Sequence, residues 1–266
     1  MTLFQAIVLG IIQGLSEFLP ISSSAHLALT PWLFGWKDPG LDVDVALHFG
    51  TLIALVWFFW QEWLTLARAF GTMLRRRRIE TESERRLLWV VIATIPGALA
   101  GYLLQDYAKT VFRSPALIGT MLIVMGVVLW AVDRAALQDR GIEAMRWTDA
   151  VAIGLAQMFA IIPGVSRSGS TITAGRALRF SREAAAVFSF LMSLPIITAA
   201  VLFEGRHAIT NGVSAPLIAG VVASAVSGWL AISVLLKYVA RHSYGVFAAY
   251  RLVVGALVLA IAAFRG

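Results

Sequence analysis

Long apolar stretches separated by short polar turns run through the whole chain. A helix needs about 20 predominantly apolar residues to cross the hydrocarbon core of a bilayer. Six stretches approach that length: Val45 to Trp60, Leu87 to Leu104, Ala116 to Val132, Ala184 to Phe203, Ala215 to Leu236 and Val246 to Phe264. The pattern predicts an all-α polytopic membrane protein with about six transmembrane helices.

Two further apolar segments, 2 to 36 and 148 to 178, are each interrupted by a proline and a serine-rich turn. Each is predicted to be a re-entrant helix-turn-helix that enters and leaves on the same side, because irregular backbone is tolerated at membrane depth only inside protein or beside water. No Lys or Arg precedes Lys37, so the first segment lacks the positive region of a cleavable signal peptide. It is therefore expected to belong to the mature fold.

Composition narrows the class of protein. The 266 residues are 59% hydrophobic and 14% charged, and the mean hydropathy is +0.80, which argues against a soluble globular domain. The net charge of +7 would suit nucleic acid, but the basic residues fall mostly in loops between apolar segments, so no nucleic-acid partner is expected. The chain has no cysteine, which excludes disulfides, thiolate metal sites and a cysteine nucleophile.

The basic residues also predict the orientation. The run Arg75 to Arg78 lies between two spans, and the positive-inside rule places it in the cytoplasm, where it would attract anionic lipid. If the two interrupted segments crossed the membrane fully, Arg134, Arg140 and Arg146 would lie on the opposite side from that run. If the two segments are re-entrant, these three arginines lie on the same side as the Arg75 to Arg78 run, as the positive-inside rule favours.

An internal similarity links the two interrupted segments. Ala6 to Gln13 can be laid over Ala150 to Gln157, and each is followed by a proline and a serine-rich turn. The alignment predicts a single membrane domain of two inverted repeats, roughly 1–132 and 147–266. Transporters use such repeats to hold broken helices around a polar midplane site. Alternatively, any two apolar helices that end in proline and serine look alike.

The first interrupted segment carries an acid in apolar surroundings. Gln13 and Glu17 are spaced four residues apart and share one helix face. A carboxylate within a membrane is costly unless it is paired, so Glu17 is a candidate functional residue. The alternative is an interfacial glutamate that caps the next helix.

Hydroxyls and an imidazole follow. Ser22, Ser23 and Ser24 stand at a predicted helix start, with His26 just after them. Ser23 and His26 would be i, i+3 neighbours, close enough for His26 to accept a proton from the Ser23 hydroxyl. The alternative is that the serines only cap the helix.

The second turn, residues 163 to 171, has the composition of a phosphate cradle. Its glycines let the backbone approach a ligand, its helix start attracts an anion, and Arg167 supplies a fork that matches phosphate oxygens. The Gly-Lys-Ser/Thr ending of a Walker loop is absent. Alternatively, Arg167 pairs with Glu17 in a structural clamp.

Among weaker candidates, His48 either supports the site or bonds a backbone carbonyl, whereas Arg251 and Glu204 are interpreted as structural or interfacial.

Together the two turns resemble motifs of the undecaprenyl-diphosphate phosphatases of the bacitracin-resistance type. The resemblance rests on Gln13 to His26 and on Pro163 to Thr171. It implies hydrolysis of undecaprenyl diphosphate to the monophosphate lipid carrier of cell-wall synthesis, a Mg²⁺ or Ca²⁺ ion, a homodimer, and a site in the bacterial cytoplasmic (inner) membrane that opens toward the periplasm.

Phosphoryl transfer needs charge neutralisation and in-line placement, and on that basis each candidate residue is assigned a role. Arg167 would hold the diphosphate and Ser23 would attack it, with His26 as base; Glu17, assisted by Gln13, would hold the metal or orient His26. In a rival scheme, His26 and Glu17 activate water directly. The predicted diphosphate-binding residues are Gln13, Ser22, Gly164, Ser166, Ser168 and Thr171.

Three other functions compete with this one. A transporter or lipid flippase could share the inverted-repeat architecture. A lipid phosphatase of the acid-phosphatase type would need an Arg-Pro or Lys-Pro motif with two histidines, and here no Arg is followed by Pro. A purely structural subunit would leave Glu17, His26 and Arg167 without a purpose in apolar surroundings.

Overall fold

The computed structural model describes residues 1–109, 114–210 and 214–265, without the side chains of residues 41, 105–109 and 203–210. Over these residues the chain forms α-helices and two short 3₁₀ helices, and it forms no β-sheet. The α-helices are α1 (Leu3–Phe18), α2 (Ser23–Phe34), α3 (Leu41–Phe58), α4 (Trp60–Arg76), α5 (Glu82–Lys109), α6 (Pro115–Ala135), α7 (Trp147–Met158), α8 (Arg167–Ala177), α9 (Arg182–Thr210), α10 (Ala215–Val239) and α11 (Gly245–Arg265).

Five of these helices, α5, α6, α9, α10 and α11, are long and apolar enough to cross a membrane. The remaining predicted span, Val45 to Trp60, corresponds to α3, which is followed by α4 at an angle of 81°. Counted as one span, this bent pair brings the total to six and confirms the prediction.

Each interrupted segment has its own beginning and its own end close together, at one end of the bundle. Phe4 and Trp36, at the two ends of the first segment, have ring centroids 6.3 Å apart. Around the second segment, the Ser181 amide donates to the Arg140 carbonyl at 2.9 Å. α1, with 16 residues, and α7, with 12, are too short to cross the hydrocarbon core alone. The re-entrant prediction is confirmed.

Glycines allow the short helices to pack closely against the long ones. A Cβ atom on Gly10 of α1 would lie 2.2 Å from the Gly220 carbonyl oxygen of α10, and one on Gly154 of α7 would lie 2.6 Å from the Ala93 carbonyl oxygen of α5. Small residues at such crossings let two backbones approach, which drives helix association in lipid. Gly10 and Gly154 are equivalent positions of the predicted repeat; the inverted repeat itself stays a prediction.

Candidate active site

Each re-entrant segment turns at a serine that caps the following helix. The Ser22 hydroxyl accepts the Ala25 amide at 3.4 Å, and the Ser166 hydroxyl accepts the Gly169 amide at 3.0 Å. Both serines have a positive φ, 76° and 74°, a backbone conformation that is uncommon outside glycine and persists only where the surroundings enforce it. Ser22 and Ser166 therefore act as the N-caps of α2 and α8.

The two turns touch each other. The Gly164 amide donates to the Ser22 hydroxyl at 3.1 Å, and the Ser168 hydroxyl donates to the Leu19 carbonyl at 3.0 Å. Gly164 has a φ of 96°, and a Cβ atom there would lie 2.7 Å from the Ile118 carbonyl oxygen, so only glycine fits. These contacts hold the two halves of the site together.

Arg251 of α11 ties both turns to α6. Its guanidinium donates to the carbonyls of Pro20 (2.9 Å), Gly164 (2.6 Å) and Val165 (3.0 Å), and more weakly to that of Leu122 (3.3 Å). The side chain is fully buried. The sequence indicated a structural role for Arg251, but not that it joins the two turns.

Glu17 lies at the centre of the site. Its Oε1 accepts Nη2 of Arg167 at 2.8 Å, and its Oε2 accepts Oγ of Ser23 at 2.6 Å and Nε2 of Gln13 at 3.0 Å. Nε2 of His48 lies 3.4 Å from the same Oε2. The carboxylate is only 7% exposed, so these donors replace the water that it would otherwise bind. The acid from one turn and the guanidinium from the other thus share one pocket.

Arg167 is held in place by α9 as well as by Glu17. Its Nη1 donates to the Ser189 carbonyl at 3.0 Å and also to the Ser193 hydroxyl. The Thr171 and Ser189 hydroxyls are 2.7 Å apart. Sequence reasoning missed Ser189 and Ser193, although two serines four residues apart on an apolar span are a signal that could have identified them.

The predicted pairing of Ser23 with His26 is wrong in this structure. His26 Nδ1 lies 2.7 Å from the Ser22 carbonyl, which can only accept, so this nitrogen carries the proton. Its Nε2 lies 2.8 Å from the Tyr250 hydroxyl. Both ring nitrogens are thus engaged with groups other than the Ser23 hydroxyl. The Ser23 hydroxyl donates to Glu17 instead, which makes the carboxylate its nearest base.

His48 bonds a backbone carbonyl and also lies beside Glu17, so the structure shows both of the contacts that were weighed for it. Nδ1 lies 2.7 Å from the Asp44 carbonyl, and this bond directs Nε2 toward Glu17. His48 therefore belongs to the site.

Gln13 provides a test of whether the site suits a cation. Because a carboxylate only accepts, the Gln13 nitrogen must face Glu17, and its buried Oε1 has no partner among the described residues. No group of three Asp, Glu or His side chains suited to a metal occurs there either. Mg²⁺ is commonly held by one or two carboxylates completed by substrate phosphates and water. If the Gln13 amide turned over, its oxygen would lie beside the Glu17 carboxylate, and the two oxygens would then form such a partial set.

The other predicted diphosphate-binding residues are engaged within the protein. Ser22, Ser166, Ser168 and Thr171 are almost fully buried and bond the turns or α9. Their binding to a diphosphate stays a prediction. Four predicted site residues are partly exposed: Ser23, His26, His48 and Arg167. The Glu204 side chain lies outside the described residues.

Known proteins resemble this chain over its whole length. Residues 6–257 match the family model described as bacitracin resistance protein BacA. A protein of Gemmatimonas aurantiaca named undecaprenyl-diphosphatase is 58% identical, and the match covers 100% of both chains. Proteins of the same name from Pelotomaculum thermopropionicum (55% identical, over 100% of this chain and 98% of the relative) and Desulforudis audaxviator (48%, over 99% of each) are also similar. The chain, with its two turns joined across Glu17 and Arg167, belongs to the bacitracin resistance protein BacA family.

Proposed function

We propose that this protein hydrolyses undecaprenyl diphosphate to undecaprenyl phosphate and inorganic phosphate, which recycles the lipid carrier of cell-wall synthesis. The observation that carries the proposal is the joining of Ser23, Glu17 and Arg167 across two turns that are 150 residues apart in the chain. The relatives described above are named for this hydrolysis and not for transport, so the flippase alternative gains no support.

Arg167 is the group best placed to receive the diphosphate. Its side chain is 13% exposed, and Nη1 is anchored on α9. Phosphate oxygens can compete with Glu17 for Nη2, and a guanidinium matches them with two parallel hydrogen bonds. When Nη2 moves to phosphate, Glu17 loses its strongest donor and becomes free to accept a proton from Ser23.

Ser23 then attacks the terminal phosphorus. Its hydroxyl proton passes to Glu17 Oε2, the Oγ–P bond forms, and the bond from phosphorus to the bridging oxygen breaks. The lipid monophosphate leaves and takes up the proton from Glu17. In the second step a water attacks the phosphoserine, Glu17 accepts a water proton and returns one to Ser23, and inorganic phosphate is released. The 2.6 Å bond between Ser23 and Glu17 favours this scheme over direct attack by water.

His26 is proposed to position the nucleophile rather than to activate it. Its bonds to the Ser22 carbonyl and to the Tyr250 hydroxyl fasten the first turn of α2, where Ser23 lies, to α11. Glu17 and the Gln13 oxygen would hold the divalent cation, Mg²⁺ or Ca²⁺, which would neutralise charge on the phosphate oxygens when bound.

The chain is a multi-pass membrane protein. We place it in the bacterial cytoplasmic membrane, with the Arg75 to Arg78 loop in the cytoplasm and the site opening toward the periplasm, on the basis of the charge distribution and the family resemblance. A homodimer is a further expectation of that resemblance.

The test is phosphate release from undecaprenyl diphosphate by the purified protein in detergent, with and without a chelator. We expect release by the wild type, loss of activity with chelator, and a loss of orders of magnitude in Arg167→Ala. Arg241→Gln, which removes an exposed arginine far from the site, is the matched control. Absence of release by the wild type with either cation present would refute the proposed hydrolysis.

A further inference from the structure

A second polar cavity lies at the end of the bundle where α6 ends and α9 and α11 begin. It has a volume of about 230 Å³ and is lined by Trp130, Asp133, Arg134, Arg182, Ser243 and Gly245. None of these residues takes part in the Glu17 site, and no role in the proposed hydrolysis requires them.

The one carboxylate at this cavity is already neutralised. Asp133 Oδ1 accepts Nε of Arg176 at 2.8 Å and Nε of Arg182 at 2.9 Å, and Oδ2 accepts the Tyr244 amide at 3.0 Å. Two cations therefore offset one buried anion. With Arg134 added, the local charge is positive.

Two arginines at the cavity have N–H donors that bond no residue in the described part of the chain. Arg182 bonds Asp133 through Nε alone, and within the described part of the chain its two Nη atoms have no hydrogen-bond partner. Arg134 likewise has no hydrogen bond or ion pair to a described residue, and its guanidinium stands 5.9 Å from the Trp130 ring centroid. The Ser243 hydroxyl accepts the Gly245 amide at 3.3 Å and keeps its own proton available. The cavity thus gathers donors suited to an anion with several oxygens.

The surface beside the cavity is apolar. On α6, Trp130 and Val127 are 50% and 47% exposed, and on α11 Val246 and Val253 are 51% and 59% exposed. Both pairs lie on helix faces that lead from the cavity along the membrane-facing surface. Tryptophan is enriched at the level of lipid headgroups. Hydrogen-bond donors suited to an oxyanion therefore lie next to an apolar surface along which acyl chains can pack.

We propose that this cavity binds the phosphate group of an anionic phospholipid, with its acyl chains along α6 and α11. Arg134 and Arg182 donate to the phosphate oxygens, and Trp130 marks the level of the headgroups. Basic pockets between transmembrane helices bind lipid headgroups by the same chemistry. This binding is independent of the proposed hydrolysis.

The experiment measures the thermal unfolding of the purified, delipidated protein in detergent as phosphatidylglycerol or phosphatidylcholine is added. Phosphatidylglycerol is expected to raise the Tm more than phosphatidylcholine does. Arg134→Gln should weaken the apparent affinity for phosphatidylglycerol about tenfold, because a charge-assisted hydrogen bond is lost. Arg68→Gln removes an exposed arginine on α4 and should change the affinity by less than about twofold, since it only alters surface charge.

Three results would overturn the proposal. The two lipids could stabilise the wild type equally, which would mean that the protein does not select an anionic headgroup. Arg134→Gln and Arg68→Gln could weaken binding equally, which would mean that only the overall positive charge of the surface attracts the lipid. Inorganic phosphate could protect the protein as well as phosphatidylglycerol does, with no added effect of the lipid, which would mean a site for a free anion. Native mass spectrometry should also show a phosphatidylglycerol molecule retained by the wild type and lost in Arg134→Gln.

Discussion

Replacing Glu17 by glutamine removes the charge at the centre of the site and preserves its shape. In the wild type the carboxylate accepts from Arg167, Ser23 and Gln13, all within 3.0 Å. In Glu17→Gln the oxygen can stay on Arg167, but the new amide nitrogen would face the nitrogen of Gln13. A rotation of the Gln13 amide resolves this conflict by presenting its unpartnered oxygen. The site therefore stays filled, but Ser23 loses its base.

The expected loss of rate is worked from the lost base, and the lost charge on a ligand of the cation would only add to it. General-base catalysis by a positioned side chain contributes roughly 10²- to 10⁴-fold, so kcat should fall by that factor, or by about 3 to 5 kcal/mol in the barrier. Stability should fall much less, by about 1 to 3 kcal/mol for weakening one charge-assisted bond, because Arg167 keeps its acceptors Ser189 and Ser193 on α9.

The assay is phosphate release from undecaprenyl diphosphate under saturating substrate, with thermal unfolding measured on the same preparations. Glu17→Asp is the matched variant, because it keeps the charge but withdraws the carboxylate by one methylene from Ser23. It should lose activity too, although it can still bind a cation. Turnover of folded Glu17→Gln within about threefold of the wild type would refute the role of Glu17 as base.

Three more predictions follow from the site. Ser23→Ala should lose activity by orders of magnitude, and rapid acid quench of the wild type should trap phosphoserine; normal rates in the variant would exclude attack by Ser23. Tyr250→Phe removes the bond to His26 Nε2 and should lower kcat several-fold because Ser23 is positioned less well, with only a small fall in Tm, since one hydrogen bond contributes about 1 kcal/mol to stability. An unchanged rate would show that this bond does not position Ser23. Arg251→Lys keeps the charge but cannot reach carbonyls on both turns, so kcat should drop more than tenfold, and Arg251→Met should be worse in both kcat and Tm. Equal activity in the two variants would contradict the role of Arg251 in joining the two turns.

Much of the fold could be predicted because the membrane makes hydropathy decisive. The long apolar helices follow from stretch length alone, and the re-entrant segments follow from prolines and serines within apolar sequence. The sequence did not predict α4, because its arginines and polar residues interrupt the apolar pattern and resemble a loop. The sharp bend at Phe59, between α3 and α4, likewise leaves no local signal, since no proline or glycine stands there.

The centre of the site could be predicted from the cost of placing charge in lipid. That cost identified Glu17 and Arg167 as residues that need partners, and they are paired with each other. The partner of Ser23 could not be predicted, because i, i+3 spacing places His26 nearby without fixing which way its ring turns. Tyr250 and Arg251 could not be assigned either, because their contacts join segments more than 80 residues apart in the chain.

The crossing of α1 on α10 and of α7 on α5 has a consequence for how the molecule can be divided. Each short helix packs a glycine-bearing face against a long helix from the opposite half of the chain, so neither half contains the partner that its own short helix needs. A fragment ending after α6 would leave the Gly10 face of α1 against acyl chains and would also lack Arg167. Splitting the gene between α6 and α7 should therefore give two inactive pieces, and activity should return only when both are made in the same cell.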